Sequence, residues 1–143
     1  VIDRGFDLDT ILRVSIGPRW DGLDVPLRAA LSEVFRQFTV ASYVANFDKL
    51  SGERFEVDAE TRASGADQVV RSRIIPSSGD PIRLDYLMRQ SDKGWRVVDV
   101  LIDGTISRVA VQRSDFRGLL GKGGAEALLA SLRQKTAELS SPP

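Results

Sequence analysis

The spacing of apolar positions changes character twice along this chain. In residues 7–16, Leu8, Ile11, Leu12 and Val14 recur at helical intervals until Gly17-Pro18 interrupts them. A longer helix is predicted from Asp24, which can act as its N-cap, with Pro26 tolerated in the first turn. Its apolar positions Leu27, Ala30, Leu31, Val34, Phe35 and Phe38 fall on one face, and Arg28, Ser32, Glu33, Arg36 and Gln37 fill much of the other. Residues 39–47 carry no charge at all. A helix that is apolar almost all round must be covered on most sides. Either it lies inside a packed core, or one side faces a cavity that a ligand fills.

After Ser51-Gly52 the period becomes two. Phe55, Val57, Ala59 and Thr61 alternate with Arg54, Glu56, Asp58, Glu60 and Arg62, which predicts a strand with one solvated face. Ser64-Gly65 turns the chain into a second strand over 68–75, and residues 76–81 make the next turn. In the third strand Ile82, Leu84, Tyr86 and Met88 alternate with Arg83, Asp85 and Arg89. Asp92-Lys93-Gly94 is a tight hairpin connection. The fourth strand, 95–102, places Trp95, Val97, Asp99 and Leu101 on one face and Arg96, Val98, Val100 and Ile102 on the other. Thr105 is expected to cap a helix carrying Ile106, Val109, Ala110 and Phe116. The glycines from 121 to 124 end it, and a last helix over 125–139 buries Leu128, Leu129 and Leu132. The pattern predicts one α+β domain over residues 1–139 with a short tail, 140–143. Its antiparallel four-stranded sheet is expected to pack against a helical layer.

Composition narrows the function. Twenty basic residues balance twenty acidic ones, which argues against a nucleic-acid binder. The chain has neither histidine nor cysteine, so the usual zinc sites and the Cys-His and Ser-His nucleophiles are excluded, and no metal or cofactor is expected. No apolar run approaches the ~20 residues of a membrane span. No signal peptide is visible, and Val1-Ile2-Asp3-Arg4 reads as the interior of a longer chain.

Four features invite chemistry. The glycine-rich stretch from Gly118 to Gly124 lacks phosphate-loop spacing and joins two helices, so it reads as a helix break. Asp103-Gly104 reads as a turn. Asp99, an acid inside an apolar strand, could serve as a general base in a cone-shaped fold, or pair across strands with Arg71, Arg73 or Arg83. Tyr43 and Tyr86 could orient a ligand, or be core tyrosines with a wet tip.

Three stretches together resemble one family. They are Phe6-Asp7-Leu8 with Gly17-Pro18-Arg19-Trp20; Phe35-Arg36-Gln37-Phe38 with Thr39 and Tyr43; and the run from Trp95 to Gly104, followed by Ile106-Ser107 and Arg113-Ser114-Asp115-Phe116. In order and spacing they resemble the MlaC-type periplasmic phospholipid-binding proteins, also called toluene-tolerance proteins, and within them the hopanoid-associated subgroup. Members carry a tyrosine before the Arg-Ser pair, where this chain has Gln112. The resemblance implies a nuclear-transport-factor-like sheet with an apolar cleft for acyl chains between sheet and helices. It also implies a soluble monomeric shuttle in the periplasm. The partners would be an outer-membrane lipoprotein-porin complex and an inner-membrane ABC transporter, in a system that keeps outer-membrane lipid asymmetry.

No catalytic residues come with the family. The expected lipid-contacting positions are Val34, Phe38, Tyr43, Phe47, Tyr86, Val97, Leu101 and Val109. Apolar side chains suffice for such a task. At ~0.8 kcal/mol per buried methylene, a ~16-carbon chain is worth on the order of 13 kcal/mol. The competing expectation is an isomerase- or hydrolase-like enzyme on the same cone fold, with Asp99 as base and Tyr86 as donor.

Overall fold

Asp24 opens the longest uninterrupted helix of the structure, a computed structural model that describes residues 2–47 and 53–140, with side chains from residue 4 to 45 and 53 to 140. The Asp24 carbonyl accepts the first helical bond from Arg28 N–H at 2.9 Å, and Pro26 sits where no amide donor is needed. This helix, α3, runs Val25–Phe47; before it come α1 (Ile2–Gly5), α2 (Leu8–Ile16) and a 3-10 turn, Gly17–Gly22. The strands are β1 (Arg54–Ser64), β2 (Asp67–Ile75), β3 (Ile82–Ser91), β4 (Gly94–Ile102) and β5 (Ile106–Ser107). The last helix is α4 (Arg108–Ser140). The break expected among residues 118–124 and the Ser51-Gly52 turn fare differently. The first is present at Gly124, and the second lies outside the described residues. Gly124 has φ +73° and ψ −162°, a conformation open to glycine and strained for any residue with a Cβ.

The chain forms two compact units: Val1–Asp7 with Leu50–Ala110, and Leu8–Lys49 with Val111–Pro143. The first holds the sheet, whose strands lie in the order β1-β2-β3-β4-β5, all antiparallel. The sheet therefore has five strands where the sequence predicted four. The added strand arises because Asp103 (φ +57°) and Gly104 (φ +77°) fold the chain back, so Leu101 pairs with Ser107 and Ile102 with Ile106. Thr105 is consequently in the turn and does not cap the helix. Ser107 does, accepting Ala110 N–H at 3.0 Å.

Two irregularities set which side chains share a face. In β1, Val57 pairs with Ser72 and Thr61 with Val70, so Asp58, Ala59 and Glu60 stand opposite Arg71 alone. Two extra residues preserve the alternation, and Phe55, Val57 and Thr61 keep one face as expected. As an edge strand β1 is open to solvent on both sides, its charges and bulge blunting the unpaired edge. In β4 the register shifts by one, Leu87 pairing with Asp99 but Met88 with Val97. This corrects the predicted faces of β4. Val97 and Trp95 stand with Val100, Tyr86 and Met88, whereas Asp99 and Leu101 stand on the other side with Leu87 and Asp85.

In the helical unit, Leu12, Leu31, Leu128 and Leu132 are almost completely buried. Phe35 and Phe116 meet edge to face, ring centres 6.2 Å apart. Gln112, which stands where the resemblance leads one to expect tyrosine, donates to the buried Ser15 hydroxyl at 3.0 Å and so ties α4 to α2. Among the described residues no helix is long and apolar enough to cross a membrane.

Candidate functional site

The cross-strand pairs assemble one continuous apolar face on the sheet. Phe55, Ile74 and Ile82 form one row; Val57, Leu84, Ile102 and Ile106 form the next, with Ser72 among them. Val70, Tyr86 and Val100 make a third, and Met88 and Val97 a fourth. Towards β4 this face is buried, with Val97 7% and Val100 8% exposed. Towards β1 it opens, leaving Phe55 53%, Val57 65% and Ile82 45% exposed. Large apolar side chains contiguous on one exposed face make it the candidate surface for an apolar ligand. Period-two alternation signalled these residues in the sequence, but their openness was not legible there, since it depends on β1 being the edge.

The opposite face mixes the apolar Val69, Leu87 and Leu101 with charges that neutralise one another. Arg73 donates to Glu56 at 2.9 Å, Arg71 lies 3.4 Å from Asp58, and Arg83 grips Asp85 through two bonds of 3.2 and 2.9 Å. Asp85 itself is fully buried, and Arg83 is the cation that satisfies it. These pairs use the arginines that the sequence offered as partners for Asp99.

Asp99 is occupied differently. Its carboxylate accepts from Val100 N–H at 2.7 Å, from Val109 N–H at 3.1 Å and from the Ser107 hydroxyl. It therefore ties β4 to the first turn of α4, satisfying donors that a helix start leaves open. The cross-strand ion pair is thus corrected to a helix-capping role. Tyr86 stands on the other face of the sheet, because it pairs with Val100 while Asp99 pairs with Leu87. The base-and-phenol arrangement needed by the enzyme alternative is not assembled. Among the described residues no cluster of carboxylates could hold a metal ion.

The sequence-nominated lipid positions divide between the units. In the sheet unit, Tyr86 and Val97 share the apolar face, Leu101 lies on the opposite, mixed face, and Val109 is half-buried in the first turn of α4. In the helical unit, Val34 is buried while Phe38 and Tyr43 are half-buried; the side chain of Phe47 lies outside the described residues. At ~100° per residue, Val34 and Phe38 lie about 40° apart around α3, and Tyr43 about 180° from Val34. The helix thus presents these positions on two sides.

Burial raises the Tyr86 phenol above its ordinary value of 10.0, with the Ser72 hydroxyl pulling the other way. Burial disfavours the phenolate, so this contribution to stability is intact below about pH 10 and is lost as pH rises through the raised folded value. An ultraviolet phenol titration should show a late-ionising component, and Tyr86→Phe should remove it. An ordinary titration for both tyrosines in the parent would disprove it.

Comparison with known proteins yields one family and one shared fold. A family model described as MlaC protein matches residues 1–134. Among solved structures, a phospholipid-binding protein from Ralstonia solanacearum, determined in complex with a phospholipid, superposes with a TM-score of 0.83 at 23% identity. The match covers 98% of this chain and 78% of that one, so the two share a fold. No curated protein matches.

Proposed function

The chain belongs to the MlaC protein family, and from that premise we propose that it is a non-enzymatic lipid carrier whose sheet takes an acyl chain on its apolar face. The observation that carries this reading is the row of exposed apolar side chains, Phe55, Val57 and Ile82, continuous with Tyr86 and Val97. An alkyl chain laid along such a face removes both its own surface and the protein's from water, with no need of a charged or metal group. The phospholipid in the solved Ralstonia solanacearum relative supports a phospholipid as the cargo. The compartment we propose is the periplasm. There the carrier would act as a monomer, exchanging lipid between an outer-membrane lipoprotein-porin complex and an inner-membrane transporter.

The test is extraction of gently purified protein with organic solvent, followed by mass spectrometry. A phospholipid in near-stoichiometric amount is the expected result. A hopanoid in its place, from a host making both, would reassign the cargo. Protein repeatedly free of any lipid would overturn the carrier reading.

A further inference from the structure

We propose that the helical unit holds a binding pocket for a phosphate group carried on an apolar body. The pocket, a cavity of about 250 Å³, is lined by Ile16, Pro18, Arg19, Arg113, Arg117 and Leu120. Three exposed arginines thus border one cavity beside an apolar floor, and no carboxylate is among the lining residues. Ile16 and Leu120 are 6% and 5% exposed, so that floor belongs to the packed interior of the unit.

Arg36, Arg54, Arg71, Arg73, Arg83, Arg89 and Arg96 each pair with a carboxylate. Among the described residues Arg19, Arg113 and Arg117 have no ion pair, nor have Arg4, Arg13, Arg28, Arg62, Arg108 and Arg133, but only these three line one cavity together. Arg113 and Arg117 are also four apart on α4, a spacing at which like charges repel and weaken a helix. An anion seated between them would reverse the sign of that interaction.

The pocket is held by backbone. Arg19 donates through Nη1 to the Leu120 carbonyl at 3.0 Å, close before the break at Gly124. The Arg113 guanidinium lies against Gly17, where a Cβ would stand only 3.8 Å from Nη2. Two of the three cations are thus placed by contacts that leave their charge uncompensated. Guanidinium forks match phosphate oxygens in pairs, and the charge assistance makes such bonds short and strong. Ile16, Pro18 and Leu120 would meet whatever apolar group the phosphate carries. Phosphate of this kind has two sources, a lipid headgroup and a free phosphate compound.

Calorimetric titration of the full chain with dihexanoyl phosphatidic acid, and separately with inorganic phosphate, tests the proposal. Saturable binding is expected, weakened roughly tenfold or more by Arg113→Gln and by Arg117→Gln, and relieved by added salt. Arg133→Gln, exposed on α4 away from the lining, should change nothing. Binding of the phosphatidic acid alone assigns the site to a headgroup, and equal binding of inorganic phosphate assigns it to free phosphate. Absence of saturable binding by either probe overturns the pocket. So does phosphatidic acid binding that survives both arginine substitutions, because the lipid then sits elsewhere. The pocket stands apart from the carrier reading: protein that yields no lipid on extraction would leave it untouched.

Discussion

Truncating Leu128 to alanine is expected to lower stability by about 2–5 kcal/mol, the range for a leucine removed from a close-packed core. Leu128 has no exposed surface and follows the break at Gly124, on the stretch of α4 that also buries Leu129 and Leu132. The loss combines the transfer of the leucine's methylene and methyl groups with the cavity left behind, which the neighbours fill only in part. In a thermal melt followed by circular dichroism, the midpoint should fall by roughly 5–15 °C for a chain of this size. Leu139→Ala is the matched control. It lies on the same helix at 39% exposure, and its loss should stay within about 0.5 kcal/mol. If Leu128→Ala melts within a degree or two of the parent, the interior of the helical unit is not close-packed around that residue.

Much of the architecture was legible because polar residues marked its phase. Asp24 with Pro26 announced the start of α3, and the Arg/Glu/Asp alternation fixed which side of β1 carries Phe55 and Val57. Where both faces are apolar, that mark disappears. Val97, Val98 and Val100 look alike to a period-two pattern, so nothing in the sequence revealed the one-residue shift that moves Val97 beside Tyr86 and leaves Leu101 behind. The start of α4 was misplaced for a related reason. Thr105 and Ser107 are both good capping residues, and the choice falls on Ser107 only because Asp103 and Gly104 first fold the chain back onto β4. Asp99 shows the same limit for chemistry. An acid in an apolar strand suggests a base, but its partners, the Val109 amide and the Ser107 hydroxyl, come from a turn that no spacing rule describes. The arginines of the helical pocket were visible as residues. Their convergence was not, since Arg19 and Arg113 are far apart in sequence and meet through tertiary packing.

A carboxylate placed on the apolar face of the sheet should strip its lipid without unfolding the protein. Val57 is the position to use, because it is already 65% exposed and has little burial to lose. Val57→Glu should therefore shift stability by no more than about 0.5 kcal/mol, as for most surface changes. Its effect on an acyl chain is far larger. Burying an unpaired carboxylate under hydrocarbon is so unfavourable that either the charge keeps its water or the chain leaves. Extraction and mass spectrometry should accordingly find most of the co-purified lipid gone. Glu56→Gln, one residue earlier and on the opposite face, removes a partner of Arg73 and should leave lipid content at the parent level. A buried wall position such as Val97 would serve less well, since at 7% exposure a glutamate there threatens the fold itself and confounds the two effects. If Val57→Glu retains as much lipid as the parent, the apolar face of the sheet is not where the chain lies.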